Sequence, residues 1–402
     1  MTSDSSLPVI GIRCDWDECL RGRDKEAWIS YKYRAQPSVT GYLKLKDGKI
    51  TSTEGFVVTR YTGKSVTIKH EASGTTTVFV APLVSFPLHN RSCTRISVTS
   101  GGLGLSSGSQ GELQIWETQR GVIRRTLEGH VGDIYQCLWF PSDVVVLGGG
   151  ADWRTRIWCA QTGKCPVTLT GHTAPVTDMV IVERGRNVIT TSKDGSARLW
   201  DVGESKCLAI LCELTSSITC CAITSSNQLE LPPCNELHSE REIGTAGKVL
   251  AVGCEDGTLL LITIEARAEL ARKILPAAVT AFSLLGNDTL AVGLENGQIH
   301  QISIAKHLKT LRIIHESNSP VRALLGLDRL LLAGLTDGVC IGYPVPLSSK
   351  ESISPVRLQL TGSDFEPIND LASDGRGHVY VGARDGCVRK YQMGEILNEI
   401  YS

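Results

Sequence analysis

One short pattern recurs seven times along this chain: an apolar run, a polar turn rich in aspartate and glycine, and a second strand ending in a bulky or branched residue. The copies read GSQGELQIW (108–116), GADWRTRIW (150–158), SKDGSARLW (192–200), CEDGTLLLI (254–262), LENGQIHQI (294–302), LTDGVCIGY (335–343) and ARDGCVRKY (383–391). A unit of this size buries its apolar face only against neighbouring copies, so the chain is expected to fold as a repeat protein.

The spacing between copies identifies the repeat. The residues that follow the turn acids are 111, 153, 195, 257, 297, 338 and 386, which gives steps of 42, 42, 62, 40, 41 and 48. A period of about 40–45 residues is that of WD40 repeats, each of which forms a four-stranded antiparallel blade. The sequence therefore predicts an all-β, seven-bladed WD40 β-propeller.

The one long step has a visible cause at residues 225–247. This segment, SSNQLELPPCNELHSEREIGTAG, is polar and contains two prolines, and it separates two strand-like runs of a single repeat. We interpret it as a loop insertion within one blade.

Residues 1–75 do not fit the repeat and are predicted to form a small α+β or β accessory module, with the propeller over 76–402. Residues 15–34 indicate a short helix anchored by Trp16, Leu20 and Trp28, and 55–61 and 65–70 alternate like strands. The segment TTTVFVA (75–81) is predicted to provide the outer strand of the last blade and close the ring, with EILNEIYS (395–402) as the alternative.

Composition narrows the classes of partner. The net charge of −1 gives no reason to expect nucleic acid or an anionic membrane as a ligand. Residues 1–90 hold 12 Lys/Arg against 9 Asp/Glu and the remainder 29 against 33, so the body is mildly acidic and suits a basic partner. The 14 cysteines include no C-x-x-C pair, and no secretory signal or membrane-length apolar run is present. We expect reduced thiols and a monomer in the cytoplasm and nucleus.

Histidines recur at a fixed distance before the turn acids. His130 lies 22 residues before Asp152, and His172 lies 22 before Asp194. This spacing predicts buried hydrogen-bonded networks that also contain a strand hydroxyl and a tryptophan. The predicted members are His130, Asp152 and Trp158 in the second repeat, and His172, Asp194 and Trp200 in the third with Thr191 or Ser192 as the hydroxyl. His315 stands 22 before Asp337, and His89 stands 21 before Gln110.

No motif with catalytic or cofactor chemistry accompanies these histidines. A nucleophile does not recur with them, the glycine clusters at 100–108 and 148–150 lack the Lys-Ser/Thr ending of a phosphate-binding loop, and zinc and calcium patterns are missing. The sequence therefore predicts a protein that is not an enzyme and needs no cofactor or metal.

The last repeat departs from the others. VTLTGH (167–172) corresponds to LQLTGS (358–363), so Ser363 replaces the histidine and Tyr391 replaces the tryptophan. The turn acid Asp385 thereby loses two usual partners, and the preceding loop adds Asp364 and Glu366. These three acids are predicted to lie together on one propeller face, either as a docking patch for a basic surface or as an ordinary solvated rim.

Several segments outside the generic repeat resemble the family of proteasomal ATPase-associated factors. They are CDWDECL (14–20), KEAWIS (25–30), TEGFVV (53–58), SEREIGTAGK (239–248) and RDGCVRKYQ (384–392), and LEGHVGDI (127–134) and ERGRNVITTSKDGSARLWD (183–201) also match. The 225–247 insertion departs from the family in length and composition.

The resemblance implies an assembly chaperone of the proteasome regulatory particle base. It implies that an acidic patch on one propeller face binds the C-terminal domain of a proteasomal ATPase subunit, and Asp364, Glu366 and Asp385 are the positions we assign to that patch. The alternative is a WD40 scaffold or a ubiquitin-ligase substrate receptor. The second of these is disfavoured because Trp116, Trp158 and Trp200 are not followed by the expected arginine.

Overall fold

Strands account for nearly all regular structure in the computed structural model. The described residues are 8–22, 26–33, 36–53, 55–225, 229, 231–232, 239–286, 288–345, 356–394 and 396. Within them, α1 (Trp16–Arg21) and residues 394 and 396 are α-helical. No helix in these ranges is long and apolar enough to span a membrane. Every cysteine within them is a free thiol.

An N-terminal group of seven strands precedes the repeats. The strands are β1 (Val9–Ile12), β2 (Glu26–Lys32), β3 (Val39–Lys46), β4 (Lys49–Ser52), β5 (Phe56–Tyr61), β6 (Ser65–His70) and β7 (Thr76–Val80), followed by β8 (Val84–Pro87). Strands β1 to β4 form one antiparallel sheet in chain order. Trp16 and Leu20 of α1 pack with Ile29 and Phe56 in a core of this module. Trp28, predicted as an anchor, is instead 36% exposed, because it lies on the outward face of β2.

The first four blades are consecutive four-stranded antiparallel sheets. Blade 1 contains β9 (Cys93–Val98), β10 (Leu103–Gly108), β11 (Leu113–Glu117) and β12 (Ile123–Leu127). Blade 2 contains β13 (Ile134–Trp139), β14 (Val145–Gly150), β15 (Thr155–Cys159) and β16 (Val167–Leu169). Blade 3 contains β17 (Val176–Val182), β18 (Asn187–Ser192), β19 (Ser196–Asp201) and β20 (Lys206–Glu213). Blade 4 contains β21 (Ile218–Ser225), β22 (Lys248–Cys254), β23 (Thr258–Thr263) and β24 (Glu269–Ile274).

Three further blades complete the propeller. Blade 5 contains β25 (Val279–Leu285), β26 (Thr289–Leu294), β27 (Ile299–Ser303) and β28 (Lys309–Ile314). Blade 6 contains β29 (Val321–Gly326), β30 (Leu330–Leu335), β31 (Cys340–Pro344) and β32 (Arg357–Leu360). Blade 7 contains β33 (Ile368–Ser373), β34 (His378–Ala383), β35 (Cys387–Gln392) and the N-terminal strand β8. The first strands of neighbouring blades contact one another around the ring, and β33 contacts β9. The predicted seven-bladed propeller is confirmed.

The strand that closes the ring is β8, and the prediction that 75–81 provides it is wrong. β8 pairs with β35, with Phe86 opposite Val388. The segment predicted for this place forms β7, which pairs in parallel with β32 of blade 6, with Val78 opposite Leu358. β7 is also hydrogen-bonded to β6, so one seven-stranded sheet runs from β29 to β5. Residues 395–402, the alternative, lie outside the described residues except for Ile396.

Tight turns join the second and third strands of each blade and pack against the loop that leads to the next blade. Gly195 has φ +80, and a Cβ at this position would lie 2.0 Å from the carbonyl oxygen of Leu214. Only glycine meets both conditions, which explains its recurrence in these turns. Blade 2 differs, because Trp153 occupies this turn position with φ +64 and is 50% exposed.

The 225–247 insertion connects the first two strands of blade 4, and its described residues fold back onto blade 3. The Arg241 guanidinium contacts Asp201 at 2.9 Å and Glu204 at 3.0 Å. The backbone N–H of Ile243 donates to Oδ1 of Asn187 at 2.7 Å. Asp201 and Asn187 are fully buried, so this end of the insertion is held by polar groups of its neighbour.

Candidate partner-binding face

The loops that precede the first strands and the turns between second and third strands lie on one side of the ring, which we term the upper face. In blade 3, Nδ1 of His172 in such a loop lies 2.9 Å from Oδ2 of Asp194 in such a turn. In blade 2, Nδ1 of His130 lies 2.9 Å from Oδ1 of Asp152. A polar side-chain contact thus joins loop and turn within each of these blades.

The blade 3 network is complete. Nε2 of His172 lies 2.7 Å from the hydroxyl of Thr190, and Nε1 of Trp200 donates to that same hydroxyl at 2.8 Å. The hydroxyl belongs to Thr190, which corrects the expectation of Thr191 or Ser192. The register explains the difference, because Thr190 faces the same side of β18 as the tryptophan side chain that crosses over it.

Burial and hydrogen bonding fix the charge states in blade 3. Burial lowers the pKa of His172 more than Asp194 raises it, so the imidazole is neutral at pH 7. Burial opposes ionisation of Asp194, but hydrogen bonds from Ser196, Thr173 and His172 hold its pKa well below the ordinary value. A neutral ring therefore donates from Nδ1 to a carboxylate.

The blade 2 network is incomplete. Nε1 of Trp158 donates to the backbone carbonyl of Glu128 at 3.1 Å, so the tryptophan N–H is not part of a hydrogen-bonded network with His130. Gly148 stands where blade 3 has its threonine, so no hydroxyl is available there. Among the residues that the structure describes, Nε2 of His130 has no hydrogen-bond partner. Trp158 contacts His130 through its ring, with centroids 5.4 Å apart.

Two other histidines contact residues other than those that the spacing predicted. His89 lies 3.2 Å from Glu112 and 2.9 Å from the hydroxyl of Ser106. Gln110 stands at the acid position of the blade 1 turn, and Glu112, two residues later, is the acid that contacts the histidine. Nε2 of His315 lies 3.0 Å from Asn318 in its own loop. Asp337 accepts instead from Ser319 at 2.7 Å.

The loop and turn that carry the predicted acidic patch are adjacent. Asp364 and Glu366 belong to the loop that enters blade 7, and Asp385 belongs to the turn of the same blade. The backbone N–H of Arg384 donates to the carbonyl of Pro367 at 2.9 Å, which ties the turn to the loop. The three acids thus occupy one sector of the upper face.

Asp385 has a partner that the sequence interpretation missed. Arg389, which is 6% exposed, forms a two-point ion pair with this carboxylate, one of its contacts being 3.3 Å long. Ser363 donates to the carbonyl of Gly338 in blade 6, so it does not replace the histidine contact. The expectation that Asp385 is unpaired is therefore wrong. The pattern Asp-x-x-x-Arg across the turn would have indicated the pair.

The other two acids differ in exposure. Asp364 is exposed, has φ +47, and its carboxylate accepts from the Cys14 thiol at 3.2 Å. This contact brings the N-terminal module to the edge of the upper face. Glu366 is half-buried. Between them the Phe365 side chain is 73% exposed, an apolar group beside two carboxylates.

Two exposed glutamates on the upper face were not singled out from the sequence. Glu255 and Glu295 occupy the turns of blades 4 and 5, at the position directly after the second strand. In the part of the chain that the structure describes, neither forms an ion pair. Their shared repeat position is the signal that could have identified them. No group of three or more His, Cys, Asp or Glu side chains within the described residues could hold a metal ion.

Comparison with known proteins agrees with this architecture. Residues 121–159 and 163–201 match the WD domain, G-beta repeat family. The chain is 40% identical to proteasomal ATPase-associated factor 1 of Homo sapiens over 394 residues, which cover 96% of this chain and 98% of that protein. It is 41% identical to proteasomal ATPase-associated factor 1 of Gallus gallus, with 96% and 99% covered. The chain belongs to the proteasomal ATPase-associated factor 1 family of WD40-repeat proteins.

Proposed function

We propose that this protein is a non-enzymatic assembly chaperone that binds the C-terminal domain of a proteasomal ATPase subunit through its upper face. The relatives are named for association with proteasomal ATPases, which supports the class of partner. The observation that carries the proposed site is a set of exposed carboxylates, Asp364, Glu255 and Glu295, on turns and loops held by a closed ring.

A rigid surface that carries exposed carboxylates suits a transient chaperone. Opposite charge accelerates the encounter with a basic domain, and a preformed surface orders few side chains on binding. Release then requires no unfolding of the propeller. Asp385 contributes less than its neighbours to this proposal, since Arg389 neutralises it.

Calorimetric titration against the isolated C-terminal domain of each proteasomal ATPase subunit tests the proposal. We expect one domain to bind, and binding to weaken as salt rises because the contact is electrostatic. The double variant Asp364→Lys/Glu366→Lys removes charge from the blade 7 sector. The double variant Glu255→Lys/Glu295→Lys removes it from blades 4 and 5.

A control double variant reverses the same number of carboxylate charges outside the upper face. Glu71 and Asp328 are exposed carboxylates in turns outside the upper face, and Glu71→Lys/Asp328→Lys should bind like the unaltered protein. Loss of binding in one upper-face variant locates the contact in that sector. Absence of binding to every ATPase domain, or equal loss in the control, would contradict the proposal.

The proposal includes location in the cytoplasm and nucleus. Cell fractionation followed by immunoblotting tests this part, and recovery in a secreted or membrane fraction would exclude it.

A further inference from the structure

The channel at the centre of the ring opens on the upper face as a cavity of about 540 Å³. All seven blades contribute to its wall, each through the second residue of its first strand. These residues are Thr94, Tyr135, Thr177, Thr219, Thr280, Arg322 and Asn369. The cavity is therefore a property of the closed ring and not of any single blade.

Hydrogen bonds between neighbouring blades fix this wall. The hydroxyl of Thr94 donates to the carbonyl of Ile134 in blade 2 at 3.1 Å. The hydroxyl of Thr219 donates to the carbonyl of Val279 in blade 5 at 2.6 Å. Because these hydroxyls are occupied within the protein, ligand recognition falls to the charged groups at the mouth.

The mouth of the channel is cationic. Lys193, Arg322 and Arg384 line it with exposed side chains, and within the described residues none of them forms an ion pair. Arg95 lines it too, but Asp370 lies 3.5 Å from its guanidinium. Asp133 is the one carboxylate among the described lining residues. This local excess of positive charge stands out in a chain whose net charge is −1.

We propose that the channel mouth binds an extended acidic segment of a partner protein. The three unpaired cations come from blades 3, 6 and 7. A peptide with several carboxylates can contact all three, whereas a single phosphate group contacts the cations of one part of the mouth. The Tyr135 ring beneath Lys193, 6.0 Å from its Nζ, adds an apolar surface for the segment.

The neighbouring turns add selectivity. Glu255 and Glu295 occupy, in blades 4 and 5, the turn position that Lys193 and Arg384 occupy in blades 3 and 7. Like charges repel an acidic segment from that side, and it should cross from blades 6 and 7 toward blade 3. The three cations of the mouth are not residues of the proposed ATPase contact, and the inference does not depend on that contact.

Fluorescence polarisation with a labelled oligoglutamate peptide, blocked at both ends, tests the inference. We expect saturable binding that weakens with salt, and no binding of matched oligoglutamine. The triple variant Lys193→Ala/Arg322→Ala/Arg384→Ala should weaken binding by about tenfold or more. The matched control is Arg184→Ala/Lys206→Ala/Lys306→Ala, which removes three exposed cations from loops and a strand end on the opposite face and should leave affinity unchanged.

Competition distinguishes the alternatives. Inositol hexakisphosphate and a single-stranded oligodeoxynucleotide are added to the bound peptide and also titrated directly. If either binds the mouth more tightly than oligoglutamate does, the site serves a phosphate ligand and the inference is wrong. It is also wrong if oligoglutamate fails to bind, or if the mouth variant, shown to be folded by its thermal transition, binds like the control.

Discussion

Thr190 in blade 3 and Gly148 in blade 2 occupy the same register position in the second strands of their blades, but only Thr190 connects a histidine to a tryptophan. In blade 3 the threonine hydroxyl bonds both His172 and Trp200. In blade 2 the equivalent histidine nitrogen has no partner in the described part of the chain. The network can therefore be tested by removing a hydroxyl from blade 3 and by adding one to blade 2.

Thr190→Val removes the hydroxyl while conserving shape. It leaves Nε2 of His172 and Nε1 of Trp200 unpaired in a buried site, and each such loss costs about 1–3 kcal/mol. We expect the free energy of unfolding to fall by about 2–4 kcal/mol, measured by urea denaturation. Thr126→Val, at an exposed position of β12, is the control and should change it by less than about 0.5 kcal/mol. Equal effects in the two variants would contradict the network's role.

Gly148→Ser should partly restore the missing contact in blade 2. A Cβ at Gly148 would lie 3.5 Å from Nε2 of His130 and 3.1 Å from the Trp158 ring, so a serine hydroxyl reaches the unpaired nitrogen after a small ring movement. Gly148→Ala creates the same crowding without the hydrogen bond. We expect the serine variant to be more stable than the alanine variant by about 1 kcal/mol in urea denaturation. If alanine equals or exceeds serine, the hydroxyl does not reach His130.

The buried histidines make stability depend on pH. Burial lowers the pKa of His89 and His172 below the ordinary 6.5, so below that pH the unfolded chain binds protons that the folded chain does not. The contribution is present above about pH 6.5 and is lost as pH falls toward the folded pKa. Asp178 and Asp370, whose pKa values burial raises, act in the opposite direction.

Comparison with a variant isolates the histidine effect. The free energy of unfolding, measured by denaturation between about pH 8 and pH 5, should fall less on acidification in His172→Gln than in the unaltered protein. Parallel pH profiles for the two proteins would show that His172 does not titrate as its burial requires.

Ring closure depends on Phe86 of β8. This side chain is 4% exposed and packs with Trp116, with ring centroids 5.5 Å apart. Phe86→Ala leaves a cavity between the last blade and the first, and we expect it to lower the free energy of unfolding by about 3–5 kcal/mol. Phe365→Ala, where the ring is 73% exposed, is the matched control and should be nearly neutral in thermal and urea unfolding. A mild effect of Phe86→Ala would mean that β8 is not needed to close the ring.

The repeat in the sequence was sufficient to predict the number of blades. The conformation of each turn requires a glycine and each buried strand requires apolar residues, so both features recur once per blade. The closing strand was misplaced because TTVFV and VSFP are both short and strand-like. The parallel pairing of β7 with β32 joins segments far apart in the chain, so no pattern in the sequence near β7 indicates its partner. The Asp385 interpretation failed for a related reason. Loss of histidine and tryptophan partners was visible, whereas the compensating Arg389 four residues later belongs to an ordinary strand.

The placement of β7 and β8 has a consequence for synthesis on the ribosome. Both strands precede blades 1 to 5 in the chain, but their partners in blades 6 and 7, residues 357–360 and 387–390, follow those blades. Until blades 6 and 7 form, β7 and β8 each have an unpaired strand edge, and such edges can pair with other chains. The ring therefore cannot close before residues 387–390 have been made, and until then residues 76–87 are the segment that a chaperone would have to shield.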